Sequence, residues 1–123
     1  MKNFFKLTIL VFFTSVILHS CIPTPYLGLS TLPVTNITDT SCTSGGNIGD
    51  EGLSPITKRG VCWSTEPDPG IKDNKTLNGA GVGTFTSNIF GLKKGTTYYV
   101  RAYATNKDQT GYGNEVSFTT TDH

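Results

Sequence analysis

Residues 96–106 alternate in a pattern that suits a half-buried strand. Tyr98, Val100, Ala102 and Ala104 occupy one parity; Tyr99, Arg101 and Tyr103 occupy the other. Side chains two apart project to the same face of a strand, so the first set reads as core. The second set carries a charge and reads as a solvated face. From Thr31 on, no stretch repeats apolar residues at i, i+3, i+4 and i+7 over a helical length. Short β-rich runs alternate instead with clusters of Gly, Pro, Asn and Asp, the pattern of an all-β sandwich or barrel. Strands are expected over 32–38, 41–48, 56–64, 82–89, 96–106 and 112–120, with a weak edge segment near 71–77, about seven in all. Pro67, Pro69 and Gly70 make 66–70 a loop, because proline cannot donate to a central ladder. Val116 and Phe118 share an inward parity, as do Phe85 and Ile89, with Leu92 at the following corner.

The chain has 123 residues, enough for one domain and too few for a doubly wound nucleotide-binding enzyme. Charged residues make up 15% and there are 14 glycines, which excludes a coiled coil. A net charge of +1 offers no electrostatic case for nucleic acid.

The first twenty residues differ from the rest. Lys2 and Lys6 precede an uncharged apolar run over 7–18. As a helix that run spans roughly 18 Å, too short for a hydrocarbon core of ~30 Å. A basic start followed by a short apolar run reads as a secretory signal. Leu18-His19-Ser20-Cys21 then resembles the lipobox of bacterial lipoproteins, with His19 a less common occupant of its position. The resemblance implies cleavage before Cys21 and acylation of its thiol and new amine. The chain is 10 Lys and Arg against 9 Asp and Glu, so losing Lys2 and Lys6 leaves the mature side chains one unit acidic. Two or three acyl chains hold a protein on a membrane durably. Residues 1–20 are thus expected to be a signal peptide, 21–31 a lipidated N-terminus and proline-containing tether, and 32–121 the folded domain.

Residues 91–106, from Gly91-Leu92 through Thr96-Thr97-Tyr98-Tyr99-Val100, resemble the E–F corner and F strand of a fibronectin type III domain, an immunoglobulin-like sandwich. That resemblance implies that the Tyr98 hydroxyl bonds to upstream backbone at the corner. Gly60-Val61-Cys62-Trp63 and Gly113-Asn114-Glu115-Val116-Ser117-Phe118 resemble a bacterial variety of the same domain found in surface and periplasmic lipoproteins, often in tandem. Here there is one copy, and Lys94 stands where the family usually has a proline.

Chemistry-bearing constellations are sparse. Gly79, Gly81 and Gly83 superficially resemble a phosphate loop, but no helix opens after them as that chemistry needs. Asp68, Asp73 and Asn74 lack the alternating spacing of a calcium loop. The histidines are His19, removed with the signal, and His123 at the C-terminus. A nucleophile needs a base in reach, and Glu115, expected to face Arg101 or water, is the one carboxylate outside a turn. No catalytic residue, metal or cofactor is therefore expected. Cys42 and Cys62 remain after lipidation. If Val61 and Trp63 face the core, Cys62 faces away and cannot meet Cys42; if Cys62 points inward, the two could bridge the sheets.

These readings describe a non-catalytic envelope lipoprotein acting as an interaction or structural module. The alternative is a glycan- or protein-binding module that uses Tyr99, Arg101 and Tyr103 as its binding face. Expected partners are the membrane, through the lipid anchor, and another envelope protein or a glycan. Ile22 after the cysteine resembles lipoproteins sent to the outer membrane, and the absence of Asp or Glu over 22–32 favours the periplasmic side over the cell surface.

Overall fold

The parity of the long strand organises the structure. A computed structural model describes residues 27–123 and contains β1 (Leu27–Thr31), β2 (Cys42–Glu51), β3 (Lys58–Ser64), β4 (Asn74–Lys75), β5 (Gly83–Ile89), β6 (Thr97–Thr105), β7 (Thr110–Tyr112) and β8 (Val116–Thr119). No helix occurs among the described residues. The strands make two antiparallel sheets, a small one in the order β1-β2-β5 and a large one in which β4, β3 and β6 lie side by side. The far edge of β6 is shared: β8 pairs with its first half, Thr97 to Val100, and β7 with its last residues, Tyr103 to Thr105.

Between the sheets lie Tyr98, Val100, Ala102 and Ala104 from β6, Val61 from β3, Cys42 and Ile48 from β2, and Phe85 and Ile89 from β5. Leu27, Ile56, Leu92 and Phe118 complete this core, with Trp63 and Val116 packed partly against it. Each large apolar side chain contributes ~1.5–3 kcal/mol on burial. Gly46 lets β2 come close to β6, since a Cβ there would lie 2.7 Å from that of Ala102.

Two expectations about the ends of the domain need correction. The first strand is β1 at Leu27–Thr31, not 32–38, so the folded domain begins inside the segment read as tether. Pro33 has no N–H to give a ladder, and beyond Leu32, whose amide donates to Gly45, only the isolated bridge Thr35–Thr43 remains of the expected strand. The expected strand over 112–120 is two strands, β7 and β8, parted at 113–115. The parting leaves the Ala102 amide without a ladder partner, and β1 fills the gap. The Thr31 hydroxyl accepts the Ala102 N–H at 2.8 Å, and the Asn114 side chain accepts the Thr31 N–H at 2.9 Å. This closes one side of the sandwich. On the other side, the Thr76 and Ser87 hydroxyls meet at 2.6 Å, and Asn78 donates to the Thr86 carbonyl.

Residues 1–20, read as a signal, and Cys21, read as the lipidation site, lie outside the described residues.

Candidate functional site

The outer face of the large sheet holds the densest cluster of chemistry-bearing side chains. Cys62 and Arg101 are direct cross-strand partners there, as are Gly60 and Tyr103. After β3 the chain turns back over this face through 65–73. Asp68 adopts a left-handed backbone (φ 58°), and the Asp73 carboxylate accepts the Gly70 amide, which tightens the turn.

This strap is bound to the sheet by side chains from β3, β6, β7 and the start of β8. The Pro69 carbonyl accepts Arg101 Nε at 2.9 Å and Nη2 at 2.6 Å, and the Cys62 thiol lies 3.5 Å from the same oxygen. The Arg101 guanidinium also stacks over the Tyr112 ring, 4.2 Å from its centre, a cation–π contact. The Tyr112 hydroxyl in turn accepts the Ile71 amide at 3.1 Å. Glu115 accepts the Asp68 amide at 2.6 Å. Farther along, the Tyr103 hydroxyl donates to the Thr76 carbonyl. Gly60 leaves room for that carbonyl, because a Cβ at 60 would collide with it.

Burial under the strap pushes the Cys62 thiol up to about 11, against the pull of the neighbouring Arg101 charge. Burial between the sheets does the same to Cys42, also to about 11. Burial likewise raises the Tyr103 phenol, with a smaller push from Cys62. Burial thus further disfavours both thiolates, the reactive form of cysteine.

These contacts revise several sequence expectations. Tyr99, Arg101 and Tyr103 do share the outward parity, but they are not a solvated stripe: Tyr103 is 1% exposed, and Arg101 and Tyr99 are half-buried. A charge on a strand marks the face away from the core, yet here that face is roofed by a loop whose carbonyls satisfy the charge. Glu115 is exposed to water, as one of its two expected surroundings had it, and it also accepts a strap amide rather than meeting Arg101. Cys42 and Cys62 are free thiols. Val61 and Trp63 turn inward, so Cys62 lies on the opposite face of the sheet from Cys42, and the bridge is geometrically closed off. The Tyr98 hydroxyl accepts the Lys93 amide at 2.9 Å, the backbone bond its corner position implied, and its ring stacks on Phe118.

The glycine loop at 79–83 has the opposite polarity to a phosphate cradle. Gly79, Gly81 and Gly83 have left-handed φ values of 90°, 90° and 103°. They turn the carbonyls of Asn78, Gly81 and Val82 onto the Arg59 guanidinium at 2.9–3.2 Å, and that guanidinium also lies over Phe85. Sequence reasoning missed Arg59, Thr76 and the structural role of Tyr112. A bare glycine opposite an outward tyrosine, Gly60 against Tyr103, was the available signal that another segment comes close there. Among the described residues, no group of three or more His, Cys, Asp or Glu is placed to hold a metal ion.

No family model matches this chain, and no curated protein matches it. Solved structures do. The sensor domain of the anti-sigma factor RsgI4 from Pseudobacteroides cellulosolvens aligns over 81% of this chain and 98% of its own, with TM-score 0.55 and 17% identity. The sixth fibronectin type III domain of human fibronectin type III domain containing protein 3 aligns over 83% of this chain and 91% of its own, with TM-score 0.54 and 19% identity. At such identities the likeness concerns the fold, which is an eight-stranded sandwich of the fibronectin type III kind.

Proposed function

We propose that this chain is a non-catalytic module of a bacterial envelope lipoprotein, held at a membrane through Cys21 and acting by presenting surface rather than by transforming a substrate. The observation that carries this reading is how the large sheet's outer face is used. Arg101, Tyr103, Tyr112, Glu115 and Cys62 are the groups most suited to recognition or chemistry, and each is bonded within the chain to the strap or to Thr76. Side chains spent in this way set the shape of a rigid scaffold. The likeness to fibronectin type III domains is consistent with an interaction or structural module, although a fold of this kind hosts many roles.

The placement at the outer membrane, periplasmic side, belongs to the same proposal. It rests on Ile22 and the uncharged segment after Cys21. Mass spectrometry of the mature N-terminal peptide tests the anchor. An acylated cysteine is expected, together with release of a Cys21→Ser form into the soluble fraction. An unmodified Cys21, or a Cys21→Ser form that still sediments with membranes, rejects it. Protease added to intact cells tests the side: protection until the outer membrane is opened is expected, and immediate digestion of the domain rejects the periplasmic placement. A pull-down from intact envelopes through a tagged C-terminus then identifies the partner.

A further inference from the structure

The sandwich has two unlike ends. One end gathers the start of β1, the close of β2, the 79–83 loop and the β6–β7 turn. Leu27 pairs with Glu51, Ile48 pairs with Gly83, and Asn106 donates to the Glu51 and Ser54 carbonyls. The other end carries the close of β8, where Thr97 pairs with Thr119 and the Thr121 amide donates to Thr38. The described chain therefore enters at the first end and leaves at the second.

At the entry end, two apolar side chains stand out in water. Leu53 is 77% exposed and Val82 is 51% exposed. Neither sits on a loose loop. Leu53 is followed by the buried Ser54, whose hydroxyl donates to the Asp108 carboxylate at 2.7 Å. The Asn106 side chain accepts the amides of Asp108 and Gln109 while it grips the 51–54 backbone. Val82 is fixed by Arg59, which takes the carbonyls of Gly81 and Val82, and the Gly81 amide donates to the Ile56 carbonyl, tying the two loops together. The fold thus spends polar side chains, Ser54, Asn106 and Arg59, to hold two apolar side chains outward at one end.

We propose that this end is a membrane-contacting surface, with Leu53 and Val82 seated in the lipid interface next to the anchor. The proposal rests on lipidation at Cys21. Only five residues separate Cys21 from Leu27. Six peptide units reach at most roughly 20 Å, so an acylated Cys21 keeps the entry end within that distance of the bilayer. The strand axis then points away from the membrane. Lys58, Arg59 and Lys107 at this end are balanced by Asp50, Glu51 and Asp108. Contact is therefore apolar in origin, and anionic lipid should add little to it.

The test uses the full-length protein after its processing in cells, purified and reconstituted into phosphatidylcholine vesicles with acyl chains carrying bromine, a contact quencher of indole fluorescence. Leu53→Trp is compared with Phe90→Trp, with the unsubstituted protein supplying the Trp63 background. Leu53→Trp emission should be lost on brominated lipid and that of Phe90→Trp retained, with the same result when a fraction of the lipid is phosphatidylglycerol. Vesicle-bound protein in which Leu53→Trp is unquenched, or quenched no more than Phe90→Trp, overturns the membrane-contacting surface and leaves the anchor standing. Protein that fails to sediment with vesicles overturns the anchor and this surface with it.

Discussion

The outer faces of the two sheets are built on different plans. The large sheet's face is roofed: the strap and the Thr76 segment cover Gly60, Cys62, Arg101 and Tyr103, and the buried polar groups are bonded to one another. The small sheet's face is open and carries short uncharged polar side chains, Thr43 and Asn47 from β2 and Thr84, Thr86 and Asn88 from β5. Thr43 with Asn88, and Thr84 with Asn47, make cross-strand hydrogen bonds at 3.2 Å. A roofed face needs specific residues because each unmet polar group under it costs free energy. An open face tolerates exchange, because water replaces whatever is lost.

That contrast can be broken most sharply at glycine. Gly60→Val forces two methyl groups against the Thr76 carbonyl, and should cost about 3 kcal/mol by overpacking. Gly49→Ala near the other face meets nothing nearer than 4.0 Å and should fall within about 0.5 kcal/mol of the parent. Equal midpoint shifts in urea denaturation would remove the distinction.

Arg101→Ala is expected next in size, about 2 kcal/mol, because it strips the Pro69 carbonyl of its two charged donors. It should also raise the rate of Cys62 alkylation by iodoacetamide while Cys42, between the sheets, stays shielded. A Cys62 rate unchanged by Arg101→Ala would show that something other than the strap protects it. Tyr103→Phe deletes one hydroxyl and its bond to Thr76, a loss of about 1 kcal/mol. Tyr98→Phe at the corner should cost a similar amount, since its hydroxyl serves the Lys93 amide in the same way.

An effect of a different kind is expected from alkali. The unfolded thiols lose their protons near the ordinary 9.0, whereas the folded ones hold theirs to about 11. A raised folded value stabilises the folded state fully below pH 9 and progressively less between 9 and 11. Denaturation at about pH 8 and about pH 10.5 should show this fall, and Cys62→Ala should lessen it. Stability that is flat or rising across that window contradicts the burial of the thiols. Least of all should come Thr84→Val on the open face, within about 0.5 kcal/mol; a larger loss would mean that this face is not simply solvated.

Much of the fold was legible in the alternation of single strands. β6 shows its parity plainly because four inward residues are apolar or aromatic and the outward set is broken by Arg101. The role of Tyr98 was legible only through the resemblance of 91–106 to a fibronectin type III corner, a match whose residues, like the bond from Lys93, lie close together in sequence. β1 was not: its Leu-Gly-Leu-Ser-Thr sequence gives a short apolar signal, and its main contribution is the Thr31 hydroxyl that serves Ala102, 71 residues away. The strap failed for the same reason. Arg101 looks solvated until Pro69, from a distant loop, is placed above it. Local pattern reports which way a side chain points, and only the tertiary structure reports what it meets.

Entry and exit at opposite ends have a mechanical consequence. A pull applied between residues 27 and 120 would run lengthwise along the strands. It would load the β1–β2 ladder, and the Thr31–Ala102 seam beside it, in shear. Hydrogen bonds loaded in parallel must give way together, whereas bonds peeled from one end give way singly. The short first strand is thus the element that would bear tension between whatever holds the two ends, and its one seam hydroxyl, Thr31, is where that resistance would first be weakened.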